Sequence, residues 1–159
     1  MKEVLLIPHE RLNVVKEEKT KSRIENELNV KLNFIENSVE IDGEGLEVLK
    51  ATTIVKAMGR GFSSENAFRL FNEEENLEII NLNFSDKKNQ VIRSRLIGTK
   101  GKTRNMIEDY SRAAISIYKK TVAIIGTYKQ IEIAKEAVVM IIKGSKHTAV
   151  YRHLRECKL

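Results

Sequence analysis

Two glycines separated by two residues lie in the segment Arg95-Leu96-Ile97-Gly98-Thr99-Lys100-Gly101-Lys102-Thr103-Arg104. Apolar residues on both sides recur at helical spacing, which predicts a helix before and after a short Gly-x-x-Gly loop. Because glycine has no Cβ, the backbone there can approach a phosphate closely. The second helix directs its unsatisfied N–H groups and its positive dipole end at the same place. Lys100, Lys102 and Arg104 add positive charge, so the segment is suited to hold a polyanion.

Two alternative interpretations of the loop compete with a phosphate grip. Gly-x-x-Gly also occurs in ordinary turns. Gly101-Lys102-Thr103 also imitates the end of the P-loop motif Gly-x-x-x-x-Gly-Lys-Thr of nucleotide-triphosphate enzymes. That motif needs a glycine where the chain has Leu96, and it follows a strand rather than a helix. A helix–Gly-x-x-Gly–helix unit instead matches the loop with which a KH domain clamps about four nucleotides of a single strand.

The composition is that of a globular protein with a divided charge. The chain has 159 residues, of which 42% are hydrophobic and 31% charged, enough for one domain or two small ones. Residues 1–83 carry 11 basic and 16 acidic side chains, whereas residues 84–159 carry 17 and 6. This division predicts that the second half binds a polyanion and the first does not.

The cysteine count and the lengths of the apolar segments bear on the cellular compartment of the protein. The single cysteine, Cys157, excludes an internal disulfide and fits a reducing cytoplasm. No apolar run is long enough to span a bilayer, and no signal peptide opens the chain. We therefore expect a cytoplasmic protein that does not contact a membrane.

An internal repeat organises the chain. When the sequence is shifted by 83 positions, the second half matches the first without a gap, as the following pairs show: Lys19 and Lys102, Thr20 and Thr103, Ile24 and Ile107, Glu25 and Glu108, Val39 and Val122, Ile41 and Ile124, Gly43 and Gly126, Gly61 and Gly144. The repeat predicts two copies of one small fold, each large enough to be a domain.

Hydrophobic periodicity predicts the order βααββα in the first copy, which is the order of a type I KH domain. In the second copy, residues 85–90 are interpreted as a polar insert before the first helix, and Gly126 as the end of the third strand. The predicted fold class is α+β, with two tandem type I KH domains packed together and a C-terminal basic helix. The predicted boundaries are 1–61 for the first domain, 62–76 for an interdomain helix and turn, 77–144 for the second domain and 145–159 for the tail helix.

The two copies differ at the loop. The positions that match Gly98 to Gly101 are Val15-Lys16-Glu17-Glu18. Both glycines are missing, and two carboxylates stand where a phosphate would lie, so like charge would repel the ligand. The first copy is therefore predicted to be a degenerate KH domain without an RNA grip.

The candidate RNA-binding groove lies between the loop-flanking helices and the second strand with its following turn. Its predicted apolar floor is Ile97, Ile107 and Ile117, at least one of which is expected to be core alone. Arg95, Lys119 and Lys120 form the predicted basic rim. The loop supplies Gly98, Thr99, Lys100, Gly101, Lys102, Thr103 and Arg104. No catalytic arrangement is found and no cofactor is expected. His147, His153 and Cys157 are interpreted as solvated tail residues rather than a metal site.

Four segments together carry a resemblance to a known family. They are Gly59-Arg60-Gly61-Phe62-Ser63-x-Glu65-x-Ala67-x-Arg69-Leu70, Ile97-Gly98-Thr99-Lys100-Gly101-Lys102-Thr103-Arg104, Lys120-Thr121-Val122-Ala123-Ile124-Ile125-Gly126 and Gly144-Ser145-x-His147-x-x-Val150-Tyr151. Across essentially its whole length, the chain resembles the archaeal two-KH-domain pre-ribosomal RNA processing factors, the counterparts of the eukaryotic partner of the Nob-one endonuclease. Arg104, where general KH domains carry isoleucine, and a degenerate first domain are both traits of that family. Lys146 departs from it, because proline is usual there.

The resemblance implies a non-enzymatic factor in small-subunit ribosome maturation. It would bind single-stranded RNA near the 3′ end of the small-subunit rRNA and act with the Nob-type endonuclease. A translation initiation factor subunit is left open as a further partner. Two alternatives also stay open: a generic KH regulator of messenger RNA, which would show no preference for rRNA sequence, and a mainly protein-binding scaffold, in which charge changes in the loop would alter nothing.

Overall fold

In the computed structural model, which describes residues 1–157, the polypeptide separates into two units between Asn72 and Glu73. Residues 62–72, which the sequence places in an interdomain segment, fold within the first unit. Ser63 caps the short helix there, because its side chain accepts a hydrogen bond from the Asn66 N–H. Among the described residues, no helix combines the length and the apolar composition needed to cross a bilayer.

The first unit contains three strands and four α-helices. In chain order these are β1 (Lys2–Leu6), α1 (Leu12–Lys16), α2 (Glu18–Leu28), β2 (Lys31–Ile35), β3 (Ser38–Asp42), α3 (Gly45–Gly59) and α4 (Ser64–Ala67), with 3-10 turns at His9–Arg11 and Phe68–Phe71. The strands form one antiparallel sheet in the order β1-β3-β2. Alternate residues of the central strand, Val39 and Ile41, are fully buried, so one side of the sheet supports the core.

The second unit repeats this plan and adds a helix. Its elements are β4 (Glu75–Asn81), α5 (Asp86–Ile97), a 3-10 turn (Thr99–Gly101), α6 (Lys102–Ser111), β5 (Ala114–Tyr118), β6 (Thr121–Thr127), α7 (Tyr128–Ile142) and α8 (His147–Glu156). Its sheet is again antiparallel, in the order β4-β6-β5. The core includes Val150 and Leu154 of α8 beside residues of the sheet and of α5 to α7, so α8 is part of this unit's packing.

Unusual backbone conformations recur at the spacing of the sequence repeat. Asn29 and Arg112 both end a helix in the left-handed region, and Glu36 and Lys119 both turn between strands with positive φ. Gly61 and Gly144 likewise have φ of 102° and 96°. Each pair is 83 positions apart. The two units therefore share their turns as well as their hydrophobic pattern, which accounts for the absence of gaps in the repeat.

A carboxylate joins helix to strand in the same way in both units. Glu25 Oε2 accepts a hydrogen bond from the Leu32 N–H at 2.9 Å, and Glu108 Oε2 accepts one from the Ile115 N–H at 2.8 Å. These bonds satisfy backbone donors near the start of β2 and β5 that would otherwise be left without a partner at the edge of the core. The paired glutamates in the repeat are thus structural residues.

Two sequence interpretations of the second unit were wrong. Residues 85–90 are not an insert: Ser85 accepts a hydrogen bond from the Lys88 N–H at 3.2 Å and so caps α5, which begins at Asp86. Asn89 is buried, and its Nδ2 donates to the Leu82 carbonyl at 2.9 Å. Because these polar side chains form hydrogen bonds with backbone groups, the first turns of the helix lack an apolar sequence pattern.

The second error concerns Gly126, which lies inside β6 and does not end it. Thr127 and Gln130 form a capping box at the start of α7. A Cβ at Gly126 would lie 2.9 Å from Gln130 Oε1. A side chain at this position would therefore displace the capping Gln130, whose own Cβ would lie 3.0 Å away.

We expect Glu108→Ala to lower the free energy of unfolding by about 1–3 kcal/mol, since it leaves the buried Ile115 N–H without its acceptor. Urea unfolding followed by circular dichroism measures this change. The control is Asp109→Ala at the exposed neighbouring position, which should stay within about 0.5 kcal/mol of the wild type. Equal stability of the two variants would contradict a structural role for the Glu108 carboxylate.

Candidate nucleic-acid interface

The Gly-x-x-Gly loop has a backbone that depends on positive φ. Helix α5 ends at Gly98, whose φ and ψ are 76° and 174°. Lys100 follows with φ 55° and Gly101 with φ 75° and ψ 13°. The Gly101 N–H donates to the Gly98 carbonyl at 3.1 Å, which closes the turn. Four residues, 98–101, thus connect α5 to α6.

The two glycines have different reasons to be glycine. A Cβ at Gly98 would lie 2.3 Å from Thr103 Oγ1 and 2.8 Å from the Thr103 nitrogen. Gly98 is therefore required by close packing against the first turn of α6, and close approach to a ligand is not the reason. At Gly101 the nearest atom to such a Cβ would be Asn105 Nδ2 at 3.8 Å. A Cβ there would be in ordinary van der Waals contact with Asn105, so the positive φ of Gly101, and not crowding, favours glycine at this position.

The N-terminus of α6 forms the other half of the loop site. This helix runs for 10 residues from Lys102, and among the described residues no side chain caps its first turn by a hydrogen bond. The Lys102 N–H donates to the Thr99 carbonyl, so the N–H groups that follow it and the positive end of the helix dipole are the features that can interact with an anion. Thr99, Lys100, Lys102 and Arg104 are exposed around it. Arg104 is held near Glu108 by a 3.8 Å ion pair along the helix.

Arg95, which the sequence predicted on the rim of the groove, is half-buried and lines a hollow beside Gly98 and Thr99. Its Nη1 donates to the Ile141 carbonyl at 3.1 Å, and its Nη2 donates to the Ser145 carbonyl. Ile141 is in the last turn of α7, where its carbonyl also accepts a hydrogen bond from the Gly144 N–H at 3.0 Å, and Ser145 lies in the segment between α7 and α8. His147 Nε2 in turn contacts the Arg95 carbonyl at 2.9 Å. Arg95 therefore fastens α5 to the junction of α7 and α8.

The Thr103 side chain is likewise engaged in contacts within the protein. It is 1% exposed, and its Oγ1 lies 2.9 Å from the Tyr151 hydroxyl on α8. The Tyr151 ring stacks on His147 and lies under the Lys102 ammonium, whose Nζ is 5.8 Å from the ring centre. Sequence reasoning missed this role of α8. The His147 and Tyr151 positions of the tail motif are four residues apart on one helix, and that spacing was the signal that could have revealed it.

The three isoleucines of the predicted floor differ in exposure. Ile97 is 41% exposed and Ile107 is 0% exposed, while Ile117 is half-buried against the core. Ile107 is thus a core residue that supports the loop helices and offers no surface to a ligand. Ile97 and Ile117 remain the candidates for apolar contact with a base.

The turn between β5 and β6 forms a second basic group. Lys119 has φ 49°, and its carbonyl accepts a hydrogen bond from Arg93 Nη1 on α5 at 2.7 Å. Lys120 is exposed, with its Nζ 3.8 Å from an Asp86 carboxylate oxygen. Sequence reasoning did not single out Arg93. It connects the loop-bearing helix to the turn, so the two basic groups are held by one framework.

The corresponding loop of the first unit has a different shape. Among the described residues, none of the four positions 15–18 has positive φ. Glu17 joins α1 to α2 with φ −53° and ψ 130°, and Val15 is fully buried. The backbone is therefore differently arranged, and the two carboxylates of Glu17 and Glu18 are exposed there.

The chain was compared with known proteins. Residues 75–158 match the model of the second KH domain of PNO1, described as a eukaryotic-type KH domain, KH domain type I. A KH domain-containing protein of Methanocaldococcus jannaschii is 40% identical over 96% of this chain and 72% of its own length. The pre-rRNA-processing protein pno1 of Schizosaccharomyces pombe is 33% identical over 80% of this chain, which spans 57% of that protein.

A solved structure also matches over nearly the whole chain. It is the crystal structure of an a/eIF2alpha–aDim2p–rRNA complex from Pyrococcus horikoshii OT3, in which the matching chain is 45% identical with a TM-score of 0.90. The match covers 98% of this chain and 93% of that one. The relatives described here are named for KH domains, pre-rRNA processing or an RNA complex.

We expect Gly98→Ala to destabilise the protein more than Gly101→Ala. At Gly98 the backbone angles are essentially restricted to glycine, at a cost of about 1–3 kcal/mol for any other residue, and the new methyl group must also displace Thr103. At Gly101 the left-handed conformation alone costs about 1–2 kcal/mol. Urea unfolding of both variants measures the difference. Should Gly101→Ala prove at least as destabilising as Gly98→Ala, the packing explanation of Gly98 would be wrong.

Proposed function

The chain belongs to the PNO1 family of KH-domain proteins, and on this premise we propose that it is an RNA-binding ribosome-assembly factor. It holds single-stranded RNA near the 3′ end of the small-subunit rRNA and assists pre-rRNA processing. The observation that carries the proposal is the uncrowded backbone of Gly101, where an added Cβ would come no closer than 3.8 Å to Asn105 Nδ2. It adjoins a helix N-terminus without a side-chain cap and exposed Lys100 and Lys102. Backbone N–H groups, a helix dipole and cations there suit a phosphate.

The RNA-binding residues form two groups around this point. The loop group consists of Ile97, Gly98, Thr99, Lys100, Gly101, Lys102 and Arg104, and the turn group consists of Ile117, Lys119 and Lys120. Thr103 and Ile107 are buried and support the loop by packing and hydrogen bonding. Arg95 links α5 to the end of α7 and borders the hollow beside Gly98 and Thr99, so it joins the loop group from the side of α5. In this proposal phosphates bind at the loop, and bases lie over Ile97 and Ile117 toward the lysines of the turn.

We also propose that both units are KH domains. The sequence bounds of 1–61, 62–76, 77–144 and 145–159 are adjusted accordingly: residues 62–72 belong with the first unit, and the second begins with β4 at Glu75 and includes α8 (His147–Glu156). Residues 158–159 of the predicted tail helix lie outside the described residues. Support comes from the shared sheet order and from the shared positive-φ positions. The first domain does not grip RNA, because its loop is acidic and lacks positive φ. It instead offers protein surface.

The partners follow from the relatives. The Pyrococcus horikoshii complex contains rRNA and a/eIF2alpha, so rRNA and a translation initiation factor subunit are proposed partners of this chain. The Nob-type endonuclease is proposed as the nuclease that the bound RNA is presented to. The chain itself acts in the cytoplasm by positioning RNA and not by catalysis. The P-loop alternative is weakened, because the segment before Gly98 is the helix α5 and not a strand.

The direct test is to measure binding of a short oligonucleotide with the 3′-end sequence of small-subunit rRNA to wild type and to Thr99→Asp/Lys100→Asp. The double variant changes the net charge by −3 at the loop, where it repels phosphate. We expect its affinity to fall by about ten- to a hundredfold, with a salt slope shallower by about 0.7 for each phosphate that the loop no longer neutralises. Fluorescence anisotropy across a salt series measures both quantities.

The matched control is Asn13→Asp/Lys16→Asp in the first unit, which makes the same charge change at exposed positions. It should lose affinity by less than about threefold, because only long-range attraction is reduced. Equal losses in both variants would indicate that net charge, and not the loop, holds the RNA. Equal binding of a scrambled oligonucleotide would favour a generic KH regulator, and unchanged binding in both variants would favour the protein-binding scaffold.

A further inference from the structure

Three metal-ligating side chains of different chemistry meet on the surface of the second unit. Glu136 comes from α7, His153 from α8, and Cys157 directly follows α8. His153 Nε2 lies 2.8 Å from Glu136 Oε2 and 3.7 Å from Cys157 Sγ. One donor atom from each of the three lies within 4.8 Å of the other two. This cluster is separate from the loop and turn groups described above.

The packing of α8 brings these side chains together. Val150 and Leu154 are fully buried in the core beside Ala137 and Ile141 of α7, so the two helices are held side by side. His153 and Cys157 are four residues apart, which places them on the same side of the helix. The Cys157 N–H donates to the His153 carbonyl at 3.1 Å, so the helical turn continues through the cysteine. The cluster is therefore held by a folded framework.

We propose that Glu136, His153 and Cys157 bind a divalent metal ion of borderline softness, and that Zn²⁺ fits best. A thiolate, an imidazole and a carboxylate are all common zinc ligands, and water would complete a four-coordinate site. Tetrahedral zinc with ordinary bond lengths separates its nitrogen, oxygen and sulfur ligands by about 3.3–3.6 Å. The 3.7 Å separation of nitrogen and sulfur agrees with this value. The 2.8 Å contact of His153 with Glu136 needs to open by about half an ångström for the ion to enter.

One further carboxylate, one lysine and two apolar side chains border the cluster. Val139 and Met140 line the hollow beside the cluster, together with Glu132 one turn before Glu136. Lys135 also borders this hollow, but its ammonium is 2.5 Å from the Glu78 carboxylate on β4. The charge of Lys135 is thus largely neutralised where it could oppose a metal ion. Metal binding would require the thiolate form of Cys157 and an unprotonated Nε2 on His153.

The cluster lies at the opposite end of α8 from the contacts that support the loop. Helix α8 contacts Thr103 and Arg95 at one end, through Tyr151 and His147, and carries the cluster at the other end. A metal ion that joins Cys157 and His153 to Glu136 would fasten α8 to α7. The sequence alone groups His147 with His153 and Cys157, but in the fold Glu136 replaces His147 in this group.

The test is a titration of the tag-free, chelator-treated full chain with Co²⁺, followed by displacement with Zn²⁺. We expect a thiolate-to-cobalt charge-transfer band in the near ultraviolet and strong visible bands typical of four-coordinate Co²⁺, both removed by one equivalent of Zn²⁺. Cys157→Ser should abolish the charge-transfer band, because the chain has no other cysteine. His153→Gln and Glu136→Gln should each weaken metal affinity at least about tenfold.

The matched control is His9→Gln, which changes an exposed histidine of the first unit and should leave the titration unchanged. Circular dichroism of each variant without metal establishes that it is folded. Absence of a charge-transfer band in the folded wild type would overturn the proposal. The proposal would also be overturned if the Co²⁺ affinity measured from this band were the same in His153→Gln and Glu136→Gln as in the wild type. Cys157 would then bind the metal without the other two side chains. Neither result bears on RNA binding by the loop.

Discussion

The contact between Gly98 and Thr103 is the constraint on which the loop end of the second unit, the proposed RNA-binding site, depends. No side chain fits between them, since a Cβ at Gly98 would lie 2.3 Å from Thr103 Oγ1. This closeness fixes where α5 stops and where α6 starts, and so where the free N–H groups of α6 point. Thr103 is held from behind by Tyr151, while Arg95 links α5 to the end of α7. The loop is therefore supported by α8, a helix outside the βααββα order.

A comparison of the two units distinguishes the residues that maintain the fold from the loop residues that are proposed to bind RNA. Both units keep the buried threonines Thr20 and Thr103, and both keep the glutamates that satisfy a strand N–H. Only the second unit has the glycine pair and the positive φ values of the loop. The first unit thus keeps the fold without the loop conformation of the second unit. This is expected, because core packing and a surface loop are under different physical demands.

Much of this architecture could be predicted from the sequence, because the repeat and the hydrophobic periodicity are local signals of buried faces. Strand and helix order follow from Val39, Ile41 and their counterparts in this way. What could not be predicted depends on hydrogen bonds between distant elements. Arg95 is a cation in a basic segment, and only the fold brings it to the Ile141 carbonyl at the end of α7. Asn89 and Ser85 are polar and form hydrogen bonds with backbone groups. The start of α5 therefore shows no hydrophobic pattern that would predict a helix. Glu136 joins His153 only because α7 and α8 pack side by side.

The central claim is that one loop of one unit holds the RNA. It is tested most directly by nuclear magnetic resonance of ¹⁵N-labelled protein titrated with the rRNA 3′-end oligonucleotide. We predict that the largest amide shifts occur at residues 98–104, with a second group at Lys119 and Lys120. We also predict that residues 15–18 of the first unit do not shift. Shifts concentrated at residues 15–18, or confined to the exposed side of α8 with an unchanged loop, would contradict this claim.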